Sequence, residues 1–200
     1  MVDFPFFCIC LFGQNYTKTS QKTNFLEIHF LYLKKVKLQK FKNEIIRKMN
    51  TETYEYSADK EKLVYNFNSL GDKGNIPKAV IYENITYNHF NLAFGDYDVT
   101  ESEINDKVVT DNGDIIKVLG TVIETIQNFF QAYPHAILDI RGSTPTRIKL
   151  YQRIIKMNLI EIQTKFNILA FRDSELSPEF PNFSQEYQCF QISKKYQYAT

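Results

Sequence analysis

Apolar and polar positions alternate from Leu63 onward. In KLVYNFNSL, residues 62–70, Leu63, Tyr65 and Phe67 occupy every second position, the period of a strand with one buried face. The turn-forming GDKGN follows, and IPKAVIYENI resumes the alternation, which predicts a β-hairpin. In YNHFNLAFGDYD, Phe90, Leu92 and Phe94 share one strand face, and Gly95 is expected to interrupt the strand. The period then lengthens. Ile115, Leu119, Val122, Ile126, Phe129 and Tyr133 recur every three or four residues, so 115–133 predicts an amphipathic helix of about five turns. Asn112, Gly113 and Asp114 supply its start and Pro134 its end. Gly120 inside that helix costs about 1 kcal/mol relative to alanine, which predicts a close approach to a sheet as its reason.

HAILDIRG returns to strand period, with Ile137, Asp139 and Arg141 on a common face. At GSTPTR the period changes again. Ser143 or Thr144 can cap a helix, and Pro145 suits its first position because it has no amide to satisfy. FNILAFRD and YQCFQISKK read as closing strands. Strands, helix, strand, helix and strands in this order predict a single α+β domain: a two-layer fold with a mainly antiparallel sheet packed on two main helices.

Two hundred residues suit one such core. The net charge of +1 excludes a generally basic surface, but the charge is unevenly divided. Residues 1–48 hold nine Lys and Arg against three Asp and Glu, a balance of +6; residues 49–200 hold fifteen against twenty, a balance of −5. The opening MVDFPFFCICLFG has an apolar run but neither the basic start nor the cleavage site of an export signal. It is also too short to span a membrane. LYLKKVKLQKFKNEIIRKMN predicts a basic surface helix. We therefore expect residues 1–48 to be an N-terminal extension outside the fold, with Met49 as the natural start and residues 49–200 as the domain. Cys8, Cys10 and Cys189 provide no disulfide framework, which fits a reducing, cytoplasmic setting. The bias toward Phe, Tyr, Asn, Ile and Lys is the kind an AT-rich coding sequence produces.

The second helix carries the candidate chemistry. At 100° per residue, Lys149, Gln152, Arg153 and Lys156 share one side, while Leu150, Tyr151, Ile154, Ile155 and Met157 form the other. Arg147 falls in the middle of the apolar side and is expected to point inward. A buried guanidinium needs an anionic or strongly polar partner, because an unpaired buried charge costs several kcal/mol. Two readings answer this. An internal carboxylate, Asp139, Asp96 or Asp98, can staple it. Alternatively Arg147, Arg141, the hydroxyls of Ser143 and Thr144 and the amides of the helix start form a phosphate or carboxylate pocket, with Asp96, Asp114 and Asp139 as supporting acids.

Other patterns exclude more than they suggest. There is no GxxxxGK[ST] loop and no GxGxxG fingerprint. His29, His89 and His135 lack a partner spacing for zinc, so no metal and no cofactor are expected. Residues 96–114 carry seven acids and one lysine but lack the glycine and terminal glutamate of an EF-hand, and read as solvated loop and helix-start acids. No GxSxG elbow and no Cys–His pairing point to nucleophilic catalysis. Lys149, Arg153, Lys156 and Lys165 form a basic stripe, read as a solvated helix face or as a nucleic-acid backbone contact. The terminal SKKYQYAT is expected to fray.

In order, YNFNSLGDKGNIPKAVIY, FNLAFGDYD, VVTDNGDIIKVLGTV, YPHAILDIRGSTPTRIKLYQRII and YQCFQI resemble a family of small bacterial proteins known only as a domain of unknown function, over about residues 49–195. The resemblance implies a compact bacterial protein and no mechanism. Its recognisable parts, LAFGD, DNGD and GSTPTR, direct attention to Gly95, Asp96, Asp114, Gly142, Ser143, Thr144 and Arg147. The expectation is a cytoplasmic, non-catalytic binding module for an anionic partner, a phosphate-bearing small molecule or nucleic acid among them, with no membrane partner. Two alternatives stand beside it. One is an enzyme on a phosphorylated or nucleic-acid substrate, with Asp96 or Asp139 as acid or base. The other is an interaction component of a two-gene bacterial module, pairing with a protein partner or as a homo-oligomer.

Overall fold

The computed structural model describes residues 18–98, 100–101, 103–105, 110–172 and 178–195, and the side chains of these except 18–26, 50 and 51. The opening apolar run, Cys8, Cys10 and the end of SKKYQYAT lie outside the described residues. The chain divides into two units, residues 1–41 and 42–200. Helix α1 (Lys18–Thr51) begins in the first. There it exposes both its lysines and large apolar side chains such as Phe30, Leu31 and Phe41.

The second unit is an α+β domain. Its strands are β1 (Tyr56–Ala58), β2 (Val64–Gly71), β3 (Gly74–Thr86), β4 (His89–Asp98), β5 (Glu103–Asn105), β6 (Ile137–Arg141), β7 (Phe166–Phe171) and β8 (Cys189–Lys194). They form one sheet in the order β1-β2-β3-β4-β6-β8-β7, with β5 added on β4. Among the described strands only β4 and β6 pair in parallel; the other pairs are antiparallel. The parallel pair follows from the connection, since a helix rather than a turn joins these strands. That helix is α2 (Ile115–Ala132), and α3 (Pro145–Lys165) joins β6 to β7.

The predicted hairpin is β2–β3, closed by Gly71 opposite Gly74. Both predicted helices begin where their start signals stand. Gly95, however, does not interrupt its strand: β4 continues to Asp98, because β5 pairs with Asp96, Tyr97 and Asp98 and extends the ladder. Strands β1 and β5, three residues each, were not foreseen.

Both helices pack on one face of the sheet. Tyr65 and Phe67, Val80 and Tyr82, Phe90 and Leu92, Leu138 and Ile140, Phe190 and Ile192 supply that face, with Val118, Val122, Phe129 and Phe130 of α2 above it. The aromatic residues that look like coding bias in the sequence make up the centre of this core. Phe129 stacks on Tyr82 at 4.2 Å between centroids and meets Phe90, Phe130 and Tyr133 within 5.3 Å. Gly120 does serve a close approach, but not to the sheet. A Cβ there would lie 2.4 Å from the Met49 carbonyl oxygen and 2.8 Å from that of Glu52, so the glycine admits the backbone at the end of α1. Tyr54, just beyond, donates its amide to Thr121 Oγ1 at 2.8 Å.

Tyr65 is an exception to good pairing within this core. Its ring is fully buried and its hydroxyl makes no hydrogen bond among the described residues; burial pushes the phenol up to about 12. Since an unmet buried hydroxyl carries a desolvation cost, Tyr65→Phe is expected to leave stability unchanged or raise it by up to about 1 kcal/mol. Urea unfolding checks this, and a loss beyond that size would mean the hydroxyl has a partner.

Candidate functional site

Strand alternation continues past the apolar core into polar residues. On the helix-facing side, Phe67 is followed by Ser69 on β2, Val80 is preceded by Lys78 on β3, and Phe94 is followed by Asp96 on β4. Lys78 and Asp96 are cross-strand partners in register. The Lys78 ammonium, 6% exposed, donates to Asp96 Oδ1, and the Thr110 hydroxyl donates to Asp96 Oδ2. A buried lysine is tolerated because this carboxylate neutralises it.

The segment leading into α2 ties itself to the same polar end. Asn112, 2% exposed, donates to Ser69 Oγ (2.9 Å) and the Gly74 carbonyl (3.1 Å), and accepts from the Lys73 amide (2.7 Å). Asp114 occupies the N-cap of α2, yet its side chain does not cap. Its Oδ2 instead accepts from the hydroxyls of Ser69 (2.6 Å) and Tyr54 (2.7 Å). Burial and the adjacent Asp114 carboxylate push the Tyr54 phenol above its ordinary value.

Arg147 enters from α3. Thr144 is the N-cap, its hydroxyl accepting from the Arg147 amide at 3.3 Å, with Pro145 at the first position. The side chain points inward as the helical phase predicts. It is 8% exposed, and Nη1 donates to the Phe94 carbonyl at 2.7 Å. Arg147 lines a cavity of about 250 Å³ together with Lys78, Asp96, Thr110, Asn112 and Asp114. Phe94, Leu119, Leu150 and Tyr151 provide apolar wall. The first turns of α2 and α3 both border it, through Ile115 and Val118 and through Thr146 and Arg147.

The candidate residues are thus divided. Arg147, Asp96 and Asp114 line one cavity. Ser143 is exposed, and Thr144 is engaged as a cap. Arg141 and Asp139 lie on the other face of the sheet, since their neighbours Leu138 and Ile140 face the core. There Asp139, 2% exposed, accepts from Arg141 Nη2 (2.9 Å) and Gln191 Nε2 (3.0 Å), and His89 Nε2 lies 3.0 Å away. The two arginines flanking Gly142 therefore serve opposite faces. Asp98 caps the turn at Thr100 and Glu101 through their amides. Lys149, Arg153, Lys156 and Lys165 are exposed, with Lys149 paired to Glu186 at 2.8 Å. Among the described residues no three of His, Cys, Asp and Glu converge on a metal position.

Lys78 and Ser69 were missed in the sequence, although a signal existed: strand phase places Lys78 with Val80 and Tyr82, the same argument that turned Arg147 inward. Asn112 read only as a helix-start residue.

On the outer face, burial raises Asp139, but bonds from Gln191, His89 and Arg141 outweigh it and hold the carboxyl below its ordinary value. A lowered folded value stabilises above the unfolded pKa, about 3.9, and that stabilisation is lost as pH falls through the folded value. Asp139→Asn is therefore expected to cost about 1–3 kcal/mol at pH 7. It should also narrow the difference between urea midpoints at neutral pH and below pH 4. An unchanged difference would exclude Asp139 as an acid-sensitive group. Burial pushes the nearby Cys189 thiol up to about 11, which keeps it neutral at physiological pH.

Comparison with known proteins adds one result. The family model described as "Family of unknown function (DUF6934)" matches residues 50–195. The chain belongs to this family. The DUF6934 match takes in every strand of the sheet together with α2 and α3, and all the residues of the cavity. No curated protein and no solved structure matches the chain. No described helix is long and apolar enough to cross a membrane.

Proposed function

We propose that this DUF6934 chain is a non-catalytic binding module that takes an anionic group, carboxylate or phosphate, at Arg147. The observation that carries the reading is that buried Arg147 lines a cavity of about 250 Å³, which Lys78 also lines. A guanidinium shielded from water presents a planar fork of donors to a carboxylate or phosphate far more effectively than an exposed one. The first turns of α2 and α3 border the cavity as well, and helix starts carry positive partial charge. The carboxylates there have other work. Asp96 is held through both oxygens by Lys78 and Thr110, and Asp114 accepts hydrogen bonds from two hydroxyls, so neither is arranged as a base facing a substrate.

The test is thermal melting of the full chain against acetate, benzoate, inorganic phosphate and nucleotides. A ligand at a hundredfold excess over its Kd is expected to raise Tm by roughly 5–10 °C. Arg147→Ala should abolish the shift, and Arg147→Lys, which keeps charge but loses the fork, should leave a small one. No shift with any anion, or an equal shift in Arg147→Ala, would overturn the reading.

A further inference from the structure

A second cavity adjoins the first. It measures about 130 Å³ and lies between α2 and α3 over the sheet. Its floor includes Leu92 and Ile140, and its sides include Val122 and Ile126 of α2 and Ile155 and Ile162 of α3. The buried amide of Asn158 lines it too, but donates to the Ile154 carbonyl of its own helix at 2.9 Å and so leaves the surface effectively apolar. Phe94, Leu119 and Tyr151 line both cavities. The lining therefore passes along α3 from Arg147 through Tyr151 and Ile155 to Ile162, and along α2 from Ile115 through Leu119 and Val122 to Ile126. One end is polar and is lined by Lys78 and Arg147; the other is apolar; Phe94, Leu119 and Tyr151 belong to both.

We infer that the ligand is a monocarboxylic acid with an apolar chain, its carboxylate at Arg147 and its chain in the cavity between α2 and α3. The inference rests on the anion-binding reading above and specifies its ligand. Charge on the wall disfavours more than one negative charge. Lys78 and Arg147 share the lining with Asp96, Asp111 and Asp114, two cations against three carboxylates, so each added negative charge is opposed and a dianion is disfavoured relative to a monoanion. The apolar neighbour supplies the rest of the recognition, because burying methylenes there releases water from both chain and wall. Exposed Glu161 and Lys165 line the far end of this cavity, where a chain long enough to fill it would reach water.

Isothermal titration of the full chain with acetate, butanoate, hexanoate, octanoate and decanoate, each in monomeric form, tests this. Affinity is expected to rise roughly fourfold per methylene until the cavity is filled. Decanol and decylamine should bind at least tenfold more weakly than decanoate. Ile126→Trp, which fills the apolar cavity, should flatten the series while leaving binding of the short acids intact. Arg147→Ala should bring decanoate down to the level of decanol. If short anions bind through Arg147 but chain length has no effect, the anion-binding reading stands and this inference fails. If decanol equals decanoate, the carboxylate is not the anchor and the inference fails. If no acid of the series binds, the inference fails, and the phosphate and nucleotide arms of the melting panel then decide the broader reading.

Discussion

Phe129→Ala is expected to destabilise the domain by about 3–5 kcal/mol, a large part of the roughly 5–15 kcal/mol that holds a domain folded. The ring is fully buried at the point where α2 crosses the sheet. It stacks face to face on Tyr82 at 4.2 Å and meets Phe90 edge-on at 5.1 Å, while Phe130 and Tyr133 complete its surroundings. Truncation loses the transfer energy of the ring and leaves a cavity that four other rings, fixed on strands and helix, cannot collapse to fill. Phe129→Leu, which retains most of the volume, should cost closer to about 1.5 kcal/mol. Because Tyr82 is its stacking partner, Phe129→Ala and Tyr82→Ala should combine non-additively. Urea unfolding of the single and double variants provides the measurement. A loss under about 1 kcal/mol for Phe129→Ala would place the centre of the core elsewhere.

Gly142→Ala should damage both stability and binding. The glycine begins the turn between β6 and α3, and a Cβ there would lie 2.4 Å from the Ile148 amide nitrogen, 2.7 Å from its Cβ and 2.8 Å from its Cα. These are atoms of the helix itself rather than the tip of a flexible side chain. Relief requires the first turn of α3 to move, at a cost of about 2–3 kcal/mol. That turn carries the Thr144 cap and Arg147, so the bond from Arg147 to the Phe94 carbonyl should be lost and anion affinity should fall at least tenfold. Ser143→Ala, one residue on and exposed, should change stability by less than about 0.5 kcal/mol. A Gly142→Ala variant with wild-type melting and wild-type anion binding would show that the helix start does not depend on this contact.

Much of the architecture is legible as period. Tyr65 and Phe67, and Phe90 and Leu92, announce core-facing strands because backbone alternation in a sheet is independent of partners. The start of α3 is written in Thr144 and Pro145, and the inward direction of Arg147 follows from helical phase alone. Strands β1 and β5 are not legible, since three residues cannot establish an alternation. Nor is the reason for Gly120, whose close neighbour is the backbone of Met49 and Glu52, some seventy residues away in the chain.

For the candidate site the division is sharper. By itself the sequence determined which side chains point toward the interior: Arg147 on its helix and, by the same reasoning, Lys78 on its strand. Pairings were decided only by the tertiary structure. Arg141 and Arg147, six residues apart, separate to opposite faces of the sheet, whereas Lys78, Asp96 and Arg147 gather at one cavity from β3, β4 and α3. The physical reason is that local periodicity fixes the direction of a side chain relative to its own backbone. Partnership depends on strand order and on which face receives the helices, and those are settled by packing between distant segments.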